Sequence, residues 1–164
     1  DRTRVPNGMT LAAQLIDKAK QNGIMIASAE SCTGGMVMAA LTDIAGSSAV
    51  AERGFVTYTN AAKMQMLGVS SATLDAHGAV SEEVAREMAN GALKHSQASL
   101  AVSVTGIAGP GPSEHKPEGR VCFALAQHGQ PTKSETCEFG ALGRNKVRRA
   151  SCEHALALLL AASS

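Results

Sequence analysis

The stretch Ile24-Met25-Ile26-Ala27-Ser28-Ala29-Glu30-Ser31-Cys32-Thr33-Gly34-Gly35 decides the fold. Its first five residues form a short apolar run, which predicts a strand buried on both faces. The next seven are turn-like. Met36, Val37, Ala40, Leu41 and Ile44 then fall on the inward face of a helix. Upstream, Leu11, Leu15, Ile16 and Ala19 share a helical face, with Thr10 as N-cap and Gly23 as the stop. A buried strand between two amphipathic helices is the repeating unit of an α/β protein.

The same reading extends to the end of the chain. Residues 54–59 have strand composition, and Asn60 reads as the N-cap of a short helix ending near Gly68. Ser81 followed by Glu82 and Glu83 predicts a helix start, because carboxylates suit the positive end of the helix dipole. That helix buries Val84, Met88, Ala89 and Ala92 and runs to about His95. Residues 100–104 read as a buried strand, followed by a loop rich in Gly and Pro. Residues 121–126 and 132–139 then read as two strands close enough to pair, and the last helix spans 144–160. The expected fold is a single-domain three-layer α/β/α sandwich with a mixed sheet over residues 10–164, with residues 1–9 as an N-terminal extension.

Composition narrows the function. The 164 residues carry 15 Lys+Arg against 14 Asp+Glu, a formal charge of +1. That balance disfavours binding nucleic acid by counterion release. Three Phe, one Tyr and no Trp leave little with which to stack bases. No apolar run approaches the ~20 residues that span a bilayer, and residues 1–10 carry no apolar signal-peptide core. Cys32, Cys122, Cys137 and Cys152 form no C-x-x-C pair, and the five histidines are equally scattered. The expectation is a cytoplasmic protein with free thiols and no metal, cofactor, nucleic-acid or membrane partner.

Three segments carry the candidate chemistry. Ser31 lies between a buried strand and a helix, where ligands collect in open α/β folds; either it is a nucleophile or it caps the helix. Cys32 is a rival at the same place. No histidine stands in a recognisable motif, so the base nearest to hand is Lys63, with its pKa lowered by burial, or else Lys63 is an ordinary solvated helix residue. Tyr58 sits at the same edge. The loop Thr105-Gly106-Ile107-Ala108-Gly109-Pro110-Gly111 has backbone suited to an anion but matches neither the phosphate loop G-x-x-x-x-G-K-[ST] nor the dinucleotide fingerprint G-x-G-x-x-G, and a plain surface loop fits it too. Arg144, Lys146, Arg148 and Arg149 crowd the start of the last helix, against its dipole, which points to a bound anion or to a solvated face.

Four ordered motifs tie these segments together. They are A-E-S-C-T-G-G at 29–35, E-R-G-F-V-T-Y-T-N at 52–60 with Lys63, H-G-A-V-S-E at 77–82, and T-G-I-A-G-P at 105–110. As an ordered set they closely resemble the CinA carboxy-terminal domain family, from about Thr10 to Leu160. The resemblance implies a metal-independent amidase, usually dimeric, that hydrolyses the carboxamide of nicotinamide mononucleotide in bacterial pyridine-nucleotide recycling. By position it implies Ser31 as nucleophile and Lys63 as base, with Tyr58 nearby, and Thr33 and Gly34 at the oxyanion. It further implies Glu30, Asn60, Thr105, Gly106, Ala108, Gly109, Arg144 and Arg148 as substrate-binding residues. The chain departs from the family pattern at Gly143, where an Asp is common before Arg144, at Gly111-Pro112, and at Glu118, where a Val is common. A non-catalytic nucleotide-binding module, or an amidase for another small carboxamide, would fit the same motifs.

Overall fold

A computed structural model describes residues 9–164, so the expected extension lies outside the described residues except for Met9. The elements are α1 (Leu11–Gln21), β1 (Ile26–Glu30), α2 (Met36–Thr42), β2 (Ala51–Val56), α3 (Asn60–Leu67), α4 (Ser71–His77), α5 (Glu82–Lys94), β3 (Leu100–Gly106), β4 (Arg120–Gln127), β5 (Lys133–Glu138) and α6 (Arg144–Ala162). The five strands form one mixed sheet in the order β2-β1-β3-β4-β5. β1 runs parallel to β2 and β3, and β4 is antiparallel to both of its neighbours. Helices α1, α2 and α6 cover one face and α3, α4 and α5 the other, giving the expected α/β/α sandwich.

Strand alternation divides the core by size. Ile26, Leu100, Val102, Val104, Val121 and Phe123 face α1, α2 and α6. Their neighbours on the opposite face are mainly small: Ala27, Ala29, Ala101, Cys122, Ala124 and Ala126. A strand side chain alternates between faces, so this pattern makes one face thick and lets α5 settle close on the other. Gly91 of α5 brings that helix against α3, where an added Cβ would collide with the Leu67 carbonyl oxygen.

The caps of three helices fall where the sequence predicts, or one residue away. Thr10 accepts from the Ala13 N–H, and Ser81 from the Val84 N–H. Thr59, rather than Asn60, caps α3 by accepting from Ala62 N–H, and Gly68 ends that helix at a positive φ. Two strands are offset from their predicted positions. β1 covers 26–30 instead of 24–28, because Ser28 and Glu30 are buried polar residues with internal partners. β2 covers 51–56 instead of 54–59, because its solvent edge tolerates Glu52 and Arg53 and the chain leaves the sheet at Thr57. Helix α4, short and mostly exposed, has no strong sequence pattern.

Gly91→Ala would force α3 and α5 apart. The expected loss is about 2–3 kcal/mol of stability in thermal or urea unfolding, in the range of overpacked cores.

Candidate active site

A cavity of about 260 Å³ opens at the carboxyl ends of β1 and β3. Ser31, Cys32, Tyr58, Asn60, Lys63, Thr105, Gly106, Ala108, Gly109 and Arg144 all line it. The topology explains the convergence. Parallel β1 and β3 place the ends at Glu30 and Gly106 side by side, and β2 delivers the segment leading into α3 from the other flank.

Lys63 is the centre of the arrangement. It is only 1% exposed, the largest fully buried side chain among the described residues. Its Nζ lies 3.0 Å from Ser31 Oγ, 2.9 Å from the Thr57 carbonyl and 3.1 Å from the Tyr58 carbonyl. None of these partners is a carboxylate. Burial therefore pushes the ammonium below its ordinary value of 10.5, opposed by weaker attractions to Cys32 and Glu114. Nζ thus donates to Ser31 Oγ and to both carbonyls, while the Ser31 hydroxyl has the Tyr58 carbonyl as its own acceptor at 3.5 Å.

Ser31 does not cap α2. Glu30 does: its Oε1 accepts from the Gly35 and Val37 N–H groups and its Oε2 from the Met38 N–H. The hydroxyls of Thr33 and Ser28 donate to the same carboxyl group, at 2.7 and 2.9 Å. Five donors thus hold a completely buried carboxyl group under the positive end of the helix. Glu30, expected at the substrate, faces away from the cavity and organises the turn from below. Gly35 carries the turn through φ 108°, a conformation that favours glycine.

Arg148, also expected at the substrate, braces the same turn from the side. Its Nε donates to the Cys32 carbonyl at 3.0 Å and its Nη2 to the Thr33 carbonyl at 3.3 Å. Thr33 and Gly34 do not line the cavity, and the Gly34 N–H is taken by the Ser31 carbonyl. The Cys32 N–H donates to no other residue among the described ones and faces its own thiol, and Cys32 does reach the cavity wall. Burial pushes the Cys32 thiol up to about 12, so it is a poor nucleophile near neutral pH.

The outer wall is a latch. Arg144 donates to the Gly109 carbonyl at 2.6 Å and to the Tyr58 hydroxyl at 3.0 Å. The Tyr58 side chain is exposed at the mouth, and only its main-chain carbonyl touches Lys63. Thr105 is turned inward, its hydroxyl donating to the Ala79 carbonyl. The Ala108 and Gly109 N–H groups have no protein acceptor among the described residues. Glu118 ties the loop down by accepting from the Gly111 and Gly143 N–H groups, both at 2.8 Å. Gly143 and Glu118 meet here: Gly143 offers no side chain to cap α6, and Glu118 supplies a carboxylate to its N–H.

Fold and site together define an α/β/α protein with a buried serine–lysine pair in a pocket at the strand ends. A family model described as the CinA C-terminal domain matches residues 8–163, and the chain belongs to that family. A nicotinamide-nucleotide amidohydrolase PncC of Escherichia coli (strain K12) is 52% identical over 153 residues, which cover 92% of each chain. The crystal structure of the competence/damage inducible protein CihA from Agrobacterium tumefaciens is similar with a TM-score of 0.91, at 48% identity over 94% of both chains. A CinA-like protein of Chlorobium phaeobacteroides (strain BS1) is 51% identical over 134 residues, 78% of this chain but 32% of that protein. No helix among the described residues is long and apolar enough to cross a membrane.

Glu30→Gln places an NH₂ group against N–H donors and leaves them without an acceptor. The variant is expected to lose about 2–4 kcal/mol of stability in urea unfolding, as buried charged hydrogen-bond networks do when broken. Its activity should fall with the loss of the turn, although Glu30 touches no cavity.

Proposed function

We propose that the chain is an amidohydrolase that converts nicotinamide mononucleotide to nicotinate mononucleotide and ammonia, with Ser31 as nucleophile and Lys63 as base. The observation that carries this reading is the buried Lys63 Nζ, 3.0 Å from Ser31 Oγ and without a carboxylate partner. The substrate class is supported by the relatives named nicotinamide-nucleotide amidohydrolase, one of them 52% identical over nearly the whole chain.

The chemistry follows from the geometry. Neutral Lys63 takes the Ser31 hydroxyl proton as Oγ bonds to the carboxamide carbon. The tetrahedral oxyanion is met by the Cys32 N–H at the turn, a donor worth ~3 kcal/mol in such sites. The C–N bond then breaks, Lys63 gives its proton to the departing nitrogen, and ammonia leaves a Ser31 ester. Water attacks that ester, Lys63 takes the water proton, and the proton returns to Ser31 as nicotinate mononucleotide departs. Asn60, the Gly106–Gly109 backbone and Arg144 form the wall that receives the rest of the nucleotide. The Ala108 and Gly109 N–H groups are suited to an anionic phosphate.

Ammonia release from nicotinamide mononucleotide by the purified chain tests the reading. Ser31→Ala and Lys63→Met are each expected to lower the rate by about 10³-fold or more with the fold intact. Wild-type rate in Ser31→Ala would exclude the proposed nucleophile. Binding of the mononucleotide without any ammonia from the wild type would instead favour a nucleotide-binding module.

The pH dependence has a defined sign. Lys63 must be neutral to act, so activity should rise with pH through a pKa that lies below 10.5. Stability follows the same group. The folded state disfavours the charged amine, so its cost is full at low pH and fades as pH rises from the lowered pKa toward 10.5. Urea unfolding across that window should show the wild type gaining stability relative to Lys63→Met as pH rises.

A further inference from the structure

Away from the cavity, the edge strand β5 and helix α6 bring together three ligand-type side chains, two from the strand and one from the helix. Glu135 and Cys137 stand two residues apart on β5 and so point to the same face of the sheet. His154 descends on them from α6. Cys137 Sγ lies 3.4 Å from His154 Nε2, His154 Nε2 lies 2.6 Å from Glu135 Oε2, and Cys137 Sγ lies 3.6 Å from that same oxygen. One thiol sulfur, one imidazole nitrogen and one carboxylate oxygen therefore form a closed triangle.

We propose that Glu135, Cys137 and His154 bind a zinc-class divalent cation at the β5–α6 junction, with water in the fourth position. The triangle has the dimensions that such an ion requires. Bond lengths of about 2.3 Å to sulfur, 2.05 Å to nitrogen and 2.1 Å to oxygen in a tetrahedron give edges of about 3.5 Å (S–N), 3.6 Å (S–O) and 3.4 Å (N–O). The two sulfur edges already agree. Only the N–O edge, now a hydrogen bond, must open by about 0.8 Å, and the Glu135 side chain is 46% exposed and free to turn.

The surroundings fix the other two ligands. The His154 ring lies 4.6 Å from Phe123 and 6.2 Å from Phe139, centroid to centroid, so aromatic walls hold the imidazole while its Nε2 faces the strand. Cys137 packs against the core on its inner side. Both His154 and Glu135 keep solvent contact, which gives water its place in the coordination shell. On binding, the Cys137 S–H proton leaves to water and the thiolate bonds to the metal, while the Nε2 proton shared with Glu135 is lost to solvent, the ring keeps a single proton on Nδ1, and Nε2 gives its lone pair to the metal. The combination of sulfur, imidazole and carboxylate suits zinc over magnesium or calcium, which prefer all-oxygen shells. A metal here would pin the sheet's edge strand to the helix that carries Arg144 and Arg148.

Cobalt(II) serves as the probe, because a thiolate ligand produces a sulfur-to-cobalt charge-transfer band and a tetrahedral shell produces intense visible bands. The metal-free chain titrated with cobalt should develop both, at one ion per chain, and zinc should displace them. Cys137→Ser and His154→Ala should each remove the sulfur band or the tetrahedral bands, and zinc should raise the melting temperature of the wild type but of neither variant. Circular dichroism checks that both variants are folded. Ammonia release by both should stay near the wild-type rate, since neither residue touches the cavity. Failure of the wild type to develop the bands, or their survival in either variant, would overturn the site.

Discussion

The carboxyl group of Glu30 is the constraint on which the site depends. It ends a buried strand, is sealed from solvent, and accepts five hydrogen bonds, four from the turn and helix that follow it and one from Ser28 on its own strand. An acceptor of this capacity beneath a helix N-terminus fixes the direction in which α2 departs. It also relieves Ser31 of the capping role that its position invites. The neighbouring residue holds the helix, so Ser31 keeps its hydroxyl for the cavity. Arg148 adds a second restraint by gripping the Cys32 and Thr33 carbonyls from α6.

Lys63 reaches the same point by a separate route. β2 stops at Val56, and the carbonyls of Thr57 and Tyr58 turn toward Lys63. The lysine comes from α3, which the small residues of α5, above all Gly91, allow to lie close. Ser31 and Lys63 are thus held by different layers of the sandwich and meet at its rim. Among the described residues no carboxylate hydrogen-bonds Lys63, and this matters as much as its nearness to Ser31. A carboxylate partner would hold the ammonium charged, whereas main-chain carbonyls stabilise an amine in a buried place at a smaller electrostatic reward to the charged form.

Much of this was legible in the sequence, for physical reasons that can be named. Apolar runs and helical periodicity locate the layers, and Ser or Thr before an apolar face locates caps such as Thr10 and Ser81. Glu30 and Arg148 sit in or beside motifs, and a sequence cannot tell a residue that touches a ligand from one that holds the turn, which is what both side chains do. The boundaries of β1 and β2 slipped because burial of polar side chains and exposure of an edge both break the apolar pattern. Glu118 and Gly143 stood out singly, but only the fold brings them into contact. The Glu135–Cys137–His154 triangle was invisible for the same reason, since its members follow no ligand spacing along the chain.

The covalent intermediate is where the account is most exposed. Nicotinamide mononucleotide mixed with the enzyme, quenched in acid over milliseconds to seconds and analysed by peptide mass spectrometry, should place the mass of substrate less ammonia on the peptide that contains Ser31. Fragmentation should locate it at the Ser31 side chain, and Lys63→Met should form it far more slowly. An adduct on Cys32, or sustained turnover with no adduct at any quench time, would contradict the serine–lysine mechanism.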